Sequence, residues 1–143
     1  MTETSNSSAS VTEVRTVVWP TLRYRDARGA IAFLVDVLGF VPAAVYGEDD
    51  RVDHAELRRP GGGAVMLGSA REDTAVAALD AGVGSVYVTV DADELVRLHD
   101  STTAAGATIV DRLRDQDYGG AGFTCRDPEG VHWSFGTYRG HTG

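Results

Sequence analysis

The sequence predicts an α+β domain made of two copies of a β-α-β-β-β unit. Three observations carry that prediction. The hydrophobic period lengthens from two to about 3.6 residues just after Tyr24-Arg25-Asp26, and does so again after Thr89-Val90-Asp91. Each helical stretch is followed by three short strand-like segments separated by turn-rich sequence. The halves lie about 65 residues apart, the mark of a tandem repeat.

In chain order, residues 1–13 read as a flexible tail, because positions 2–10 hold six Ser or Thr and no large apolar side chain to offset the entropy of ordering. The first repeat spans 14–69. Its first strand is expected from the β-branched run Val14–Trp19 and continues through Thr21-Leu22-Arg23-Tyr24, with Pro20 at an unpaired position. Asp26 is the expected N-cap of a helix carrying Ala27, Ile31, Leu34 and Leu38 on one face, with Gly39 as its stop. Strands follow at Pro42–Glu48, Val52–Arg59 and Ala64–Ser69. A connector covers 70–83. The second repeat, 84–138, has the strand Val86–Val90, a helix that follows Asp91, in the place Asp26 holds in the first repeat, with Leu95, Leu98 and His99 on one face, and strands at Ala107–Leu113, Gly122–Arg126 and Val131–Tyr138. Residues 139–143 form a second tail.

Composition narrows the function classes. All thirteen basic residues are arginines, against twenty-one acidic ones, and the net charge of −8 repels a phosphate backbone. Nucleic acid is therefore not an expected partner. No apolar run is long enough to span a membrane, no signal-peptide pattern opens the chain, and the single cysteine, Cys125, cannot form an internal disulfide. A cytoplasmic protein is expected.

Tyr24-Arg25-Asp26-Ala27, the helix end Val37-Leu38-Gly39-Phe40, and Arg126-Asp127-Pro128-Glu129-Gly130-Val131-His132-Trp133 together resemble the vicinal oxygen chelate superfamily. This is the group of glyoxalases, extradiol dioxygenases and bleomycin-resistance proteins. The similarity covers about residues 14–138. It implies a half-open, curled mixed sheet around a cleft, and usually a homodimer. It also implies a divalent cation held by His, Gln or Glu on the first and last strands of the repeats. In this chain the flanking motifs bring those places onto Trp19, Leu67, Ser85 and Ser134. An indole, an aliphatic group and two hydroxyls cannot replace a carboxylate and imidazole set. The resemblance therefore points to the metal-free, bleomycin-resistance-like branch, with no cofactor.

Alternation along strands then nominates the cleft. Trp19 brings Thr21 and Arg23 with it, Ser85 brings Tyr87 and Thr89, and Ser134 brings His132. His54, Glu56 and Arg58 are expected inward on the third strand. Val18, Leu22, Val86, Val88, Trp133 and Phe135 are expected against the helices. Trp19 and Tyr87 serve either as stacking walls for a ligand or as filling for a concavity. His54 with Glu56 is either an acid–base pair or a cross-sheet contact. His132 beside Ser134 has no evident third partner for nucleophilic activation. His54, Glu56 and His132 could form a displaced metal site. Tyr118, in the turn Asp115–Gly120, could stack on a ligand or stand in solvent. Cys125 reads as an apolar filler.

The expected function is non-catalytic capture of an aromatic natural product or antibiotic, with a basic one suited by the acidic balance. The ligand-binding set is Trp19, Thr21, His54, Glu56, Arg58, Ser85, Tyr87, Tyr118, His132 and Ser134. The alternative is a lyase, isomerase or dioxygenase, either metal-free with His54 and Glu56 moving a proton or with relocated metal ligands.

Overall fold

The computed structural model describes residues 15–141. The tail expected over 1–13 lies outside the described residues. The first repeat contains β1 (Thr21–Tyr24), α1 (Ala27–Asp36), β2 (Val41–Glu48), β3 (Arg51–Arg58) and β4 (Ala64–Ser69). The second contains β5 (Ser85–Thr89), α2 (Ala92–Ala104), β6 (Thr108–Asp115), β7 (Ala121–Arg126) and β8 (His132–Gly136). Each repeat makes one four-stranded mixed sheet, in the orders β1-β4-β3-β2 and β5-β8-β7-β6. The first strand of each runs parallel to the last, and the other pairs are antiparallel.

The helices begin where the sequence places them. Asp26 and Asp91 each accept a hydrogen bond from the backbone N–H three residues on, satisfying a donor that the first helical turn leaves orphaned. Gly39 follows α1 with φ +80°, a left-handed conformation that suits glycine at a helix end.

The first strand is shorter than the run of β-branched residues suggests. Residues 15–20 have no regular structure, and Val18, expected against the helices, is 81% exposed. Pro20 explains the boundary. It lacks an N–H for the ladder, yet its carbonyl accepts from Met66 N–H at 2.9 Å, and pairing begins directly after it.

One apolar core joins the two repeats. Leu22, Tyr24, Leu34, Leu38 and Phe40 from the first pack in the same cluster as Leu95, Leu98, Phe123, Trp133 and Phe135 from the second. Phe40 meets Trp133 edge to face, with ring centroids 5.5 Å apart. Buried polar contacts fix the docking. Asp127 Oδ1 accepts from the backbone N–H groups of Glu129, Gly130 and Val131, while Oδ2 accepts from Tyr24 Oη at 2.6 Å and Trp133 Nε1 at 3.1 Å. Glu129 accepts from the Arg25 and Asp26 backbone N–H groups. On the other side of the junction, the Arg59 guanidinium binds the Leu38 carbonyl and the Glu94 carboxylate.

Burial, then the neighbouring Asp127 charge, pushes the Tyr24 hydroxyl far above its usual range, so it is a donor at every physiological pH. Burial likewise raises the Cys125 thiol from about 9 to about 11. The neutral thiol favours the native state. Its contribution is therefore complete below about pH 9 and is lost as pH rises toward about 11.

Two measurements check this account. In urea titrations Tyr24→Phe lowers stability by about 1.5–3 kcal/mol, the loss of a bond to a buried charge, and Asp127→Ala by about 4 kcal/mol or more, because it orphans several donors together. At pH 8 Cys125 reacts with a thiol reagent only as fast as the chain unfolds. Rapid labelling of native protein contradicts its placement.

Candidate functional site

Side chains excluded from the core define an outer face on each sheet, and strand register orders them in rows. On the second sheet Tyr87 pairs with Ser134 and Ser134 with Thr124, while Ser85 pairs with His132 and His132 with Arg126. On the first, Thr21 pairs with Met66 and Met66 with Glu56, while Ala64 pairs with Arg58. The repeats superimpose in this scheme. The counterpart of Ser134 is therefore Met66, not Leu67. Leu67 pairs with Leu22 and Ala55 and lies in the core. The inward assignment of Leu67 is corrected by one residue, a slip that reverses a side chain's face.

On the first sheet, His54 Nε2 and Glu56 Oε2 are 2.9 Å apart. Tyr46, which the sequence reading passed over, pairs with His54 across the strands and stacks on its ring with centroids 6.4 Å apart. Arg58 sits over the Trp19 ring, 5.4 Å from its centroid, and Trp19 Nε1 donates to the Thr16 carbonyl at 3.2 Å. Thr21 is exposed at the start of β1.

On the second sheet, Ser134 and Thr124 share a hydrogen bond of 2.7 Å, and His132 Nδ1 donates to the Gly130 carbonyl at 3.0 Å. The serine is thus engaged by Thr124, and His132 is tied to its own turn. Tyr87 Oη donates to the Tyr138 carbonyl at 2.7 Å. Burial and the nearby Tyr118 raise its pKa, which keeps the hydroxyl protonated. Tyr118 meets Tyr138 edge to face at 5.2 Å and is 56% exposed. Ser85 is exposed at the start of β5.

A glycine near the end of each last strand makes room for a side chain from the first. A Cβ on Gly68 would stand 2.6 Å from Arg23 Nη1, and one on Gly136 would stand 2.7 Å from Tyr87 Oη. The repeated glycine could have been found in the sequence, but only after the strands were aligned in register.

Two cavities bring some of these residues together. One, of about 1070 Å³, is lined by Trp19 and Arg58 with Arg15, Thr16, Arg59 and Gly61–Gly63. The other, of about 390 Å³, includes Tyr87, Thr89, Val86, Val88 and Phe40. Arg59 and the three glycines line both, so Trp19 and Tyr87 stand on either side of a shared wall. Gly61, Gly62 and Gly63 all have φ between +88° and +125°, which explains three consecutive glycines where a turn must bend without side chains. His54, Glu56, His132, Ser134 and Tyr118 line neither cavity.

The residues at the four corresponding positions, Trp19, Met66, Ser85 and Ser134, offer an indole, a thioether and two hydroxyls. That set does not fit a divalent cation of the kind bound by carboxylates and imidazoles. The other grouping weighed from sequence is not assembled either: His54 and Glu56 meet, His132 belongs to the other sheet, and among the described residues no three His, Cys, Asp or Glu side chains converge as a metal site.

The model of a family described as the glyoxalase/bleomycin resistance protein/dioxygenase superfamily matches residues 16–135. Among solved structures, TioX from Micromonospora sp. ML1 is 30% identical with a TM-score of 0.70, over 87% of this chain and all of that one. A glyoxylase/bleomycin resistance protein/dioxygenase domain from Frankia sp. EAN1pec is 17% identical, with a TM-score of 0.64 over 89% of this chain and all of its own. A mutant of the fosfomycin resistance protein FosX from Listeria monocytogenes, complexed with Mn(II) and 1S,2S-dihydroxypropylphosphonic acid, is 12% identical. Its TM-score is 0.63 over 89% of this chain and 95% of that one, which shows a shared fold. Among curated proteins none matches significantly.

The Tyr87–Gly136 contact makes a direct prediction. Gly136→Ala costs about 1–3 kcal/mol of stability through overpacking, and part of that cost disappears in a Tyr87→Ala background. A penalty unchanged by Tyr87→Ala in a double-mutant cycle contradicts the contact.

Proposed function

The chain belongs to the glyoxalase/bleomycin resistance protein/dioxygenase superfamily, and on that premise we propose that it is a non-catalytic binding protein that captures an aromatic natural product or antibiotic. The observation that carries this reading is the pair of cavities around Arg59 and Gly61–Gly63, with Trp19 in one and Tyr87 in the other. Each sets an aromatic side chain beside polar groups in a concavity, elements common to small-molecule pockets. The donor set at Trp19, Met66, Ser85 and Ser134 supports binding over metal-dependent chemistry. Thr21, His54, Glu56, Ser85, Tyr118, His132 and Ser134 lie on the outer faces or their margins and would orient parts of a ligand that extends beyond the cavities.

The proposal includes a homodimer in the cytoplasm. Its support is the exposure of the edge strands: β2 leaves Val41, Val45 and Tyr46 in solvent and β6 leaves Val110, and apolar unpaired edges invite pairing. A buried, unreactive Cys125 suits a reducing compartment.

A second reading has its own observation. The 2.9 Å His54–Glu56 contact is the geometry of an acid–base pair, and favours metal-free proton transfer as the enzymatic alternative.

A thermal-shift screen with bleomycin, phenazines and other aromatic antibiotics tests the proposal. A true ligand at a hundred times its Kd adds about 2.7 kcal/mol and raises Tm by several degrees. Trp19→Ala and Tyr87→Ala each weaken that shift. Chemical conversion of a hit, abolished in His54→Ala with binding retained, would establish the enzymatic reading instead. No shift across the screen leaves the binding reading without support.

A further inference from the structure

Both repeats place a glycine of the last strand beneath a side chain from the first strand, and the two places are completed differently. In the second repeat the Tyr87 hydroxyl lies against Gly136 and donates to the Tyr138 carbonyl at 2.7 Å. In the first, the Arg23 guanidinium lies against Gly68, where a Cβ would stand 2.6 Å from Nη1, and no comparable acceptor receives it. Among the described residues its one hydrogen bond runs from Nη1 to the Ser69 carbonyl at 3.5 Å, the limit of such a contact. The Nε–H is buried with no partner, while Nη2, also without one, is open to solvent. A guanidinium carries five N–H donors, and buried donors are rarely left unused.

The charges nearby do not answer it. Asp53 takes Arg51 and Arg71, and Asp73 takes Arg71. Among the described residues no carboxylate pairs with Arg23, and the charged group that acts on it is a second guanidinium, Arg71. Burial first, and then Arg71, lowers the Arg23 pKa, a direction that a bound anion reverses. Packing over a glycine, rather than an acceptor, therefore sets this side chain in place.

We infer that Arg23 is an anion-binding residue on the outer face of the first sheet, and that its ligand presents an oxyanion, a carboxylate or a phosphoryl group, to the guanidinium lying over Gly68. The planar fork of donors matches either group, and Nη2 is the donor open to it. The net charge of −8 disfavours the approach of an anion over distance, but local groups decide the contact. Arg23 lines neither cavity, so this site stands or falls apart from the capture of an aromatic ring.

The test follows the arginine Nε–H signals of the full chain by NMR while inorganic phosphate or malonate is added at constant ionic strength. The Arg23 signal is the one lost in Arg23→Lys. It is expected to shift to saturation with at least one of the two anions: phosphate alone marks a phosphoryl site, malonate alone a carboxylate site, and both a general oxyanion site. By calorimetry, Arg23→Gln weakens that binding about tenfold or more, the scale of one charge-assisted hydrogen bond. Gly68→Ala keeps every charge but displaces the guanidinium, and weakens binding too. Arg25→Gln, at an exposed arginine, leaves it unchanged, as do Trp19→Ala and Tyr87→Ala. No saturable shift of the Arg23 signal in the unaltered chain overturns the inference, whether or not the variants fold. Equal affinity in Arg23→Gln overturns it as well. So does an equal loss in Arg25→Gln, which would mark diffuse charge, or loss in Trp19→Ala, which would move the anion to the cavity.

Discussion

Asp127 turns two repeats into one domain. Its carboxylate closes the Asp-Pro-Glu-Gly turn with one oxygen and reaches Tyr24 of the first repeat and Trp133 of the second with the other. A buried carboxylate is tolerable only when its lone pairs are met by donors, and here the donors come from both halves of the chain. Separating the halves would therefore take the Tyr24 phenol from the carboxylate, which keeps its backbone and Trp133 donors, and would part Glu129 from the Arg25 and Asp26 N–H groups. Arg59 performs the matching task on the opposite side of the junction through Leu38 and Glu94. With the helix-side faces locked in this way, the outer faces of the sheets and the groove beside Arg59 are left outside the core.

The same junction explains why chemistry-bearing residues group as they do. Arg59 is a structural tie and a cavity wall at once, so the Gly61–Gly63 turn that follows it is held at the seam between the repeats. Trp19 reaches that seam from the segment before β1, and Tyr87 reaches it from β5. His54 and His132, by contrast, sit on different sheets. The family's fold is kept, and fold alone does not carry chemistry.

Much of this was legible in the sequence because it depends on local rules. The two Asp caps, the switch of hydrophobic period and the turn residues set the repeat, both helices and nearly every strand to within one or two residues. The segment 15–20 misled because β-branched residues favour a strand only where a partner strand is available, and Pro20 ends that pairing. Leu67 misled because β4 has apolar residues on both faces, so alternation gives no phase; only its register against Leu22 and Ala55 supplies one. The partnership of Arg59 with Glu94 and the stacking of Tyr46 on His54 are contacts between different strands or elements, which local rules do not reach.

The indole, thioether and two hydroxyls at Trp19, Met66, Ser85 and Ser134 do not fit a divalent cation. Elemental analysis of protein purified without chelator addresses it most directly. Far less than one transition metal per chain is expected. About one manganese, zinc, nickel or iron per chain, released when Ser134 or Met66 is replaced by alanine, would contradict it.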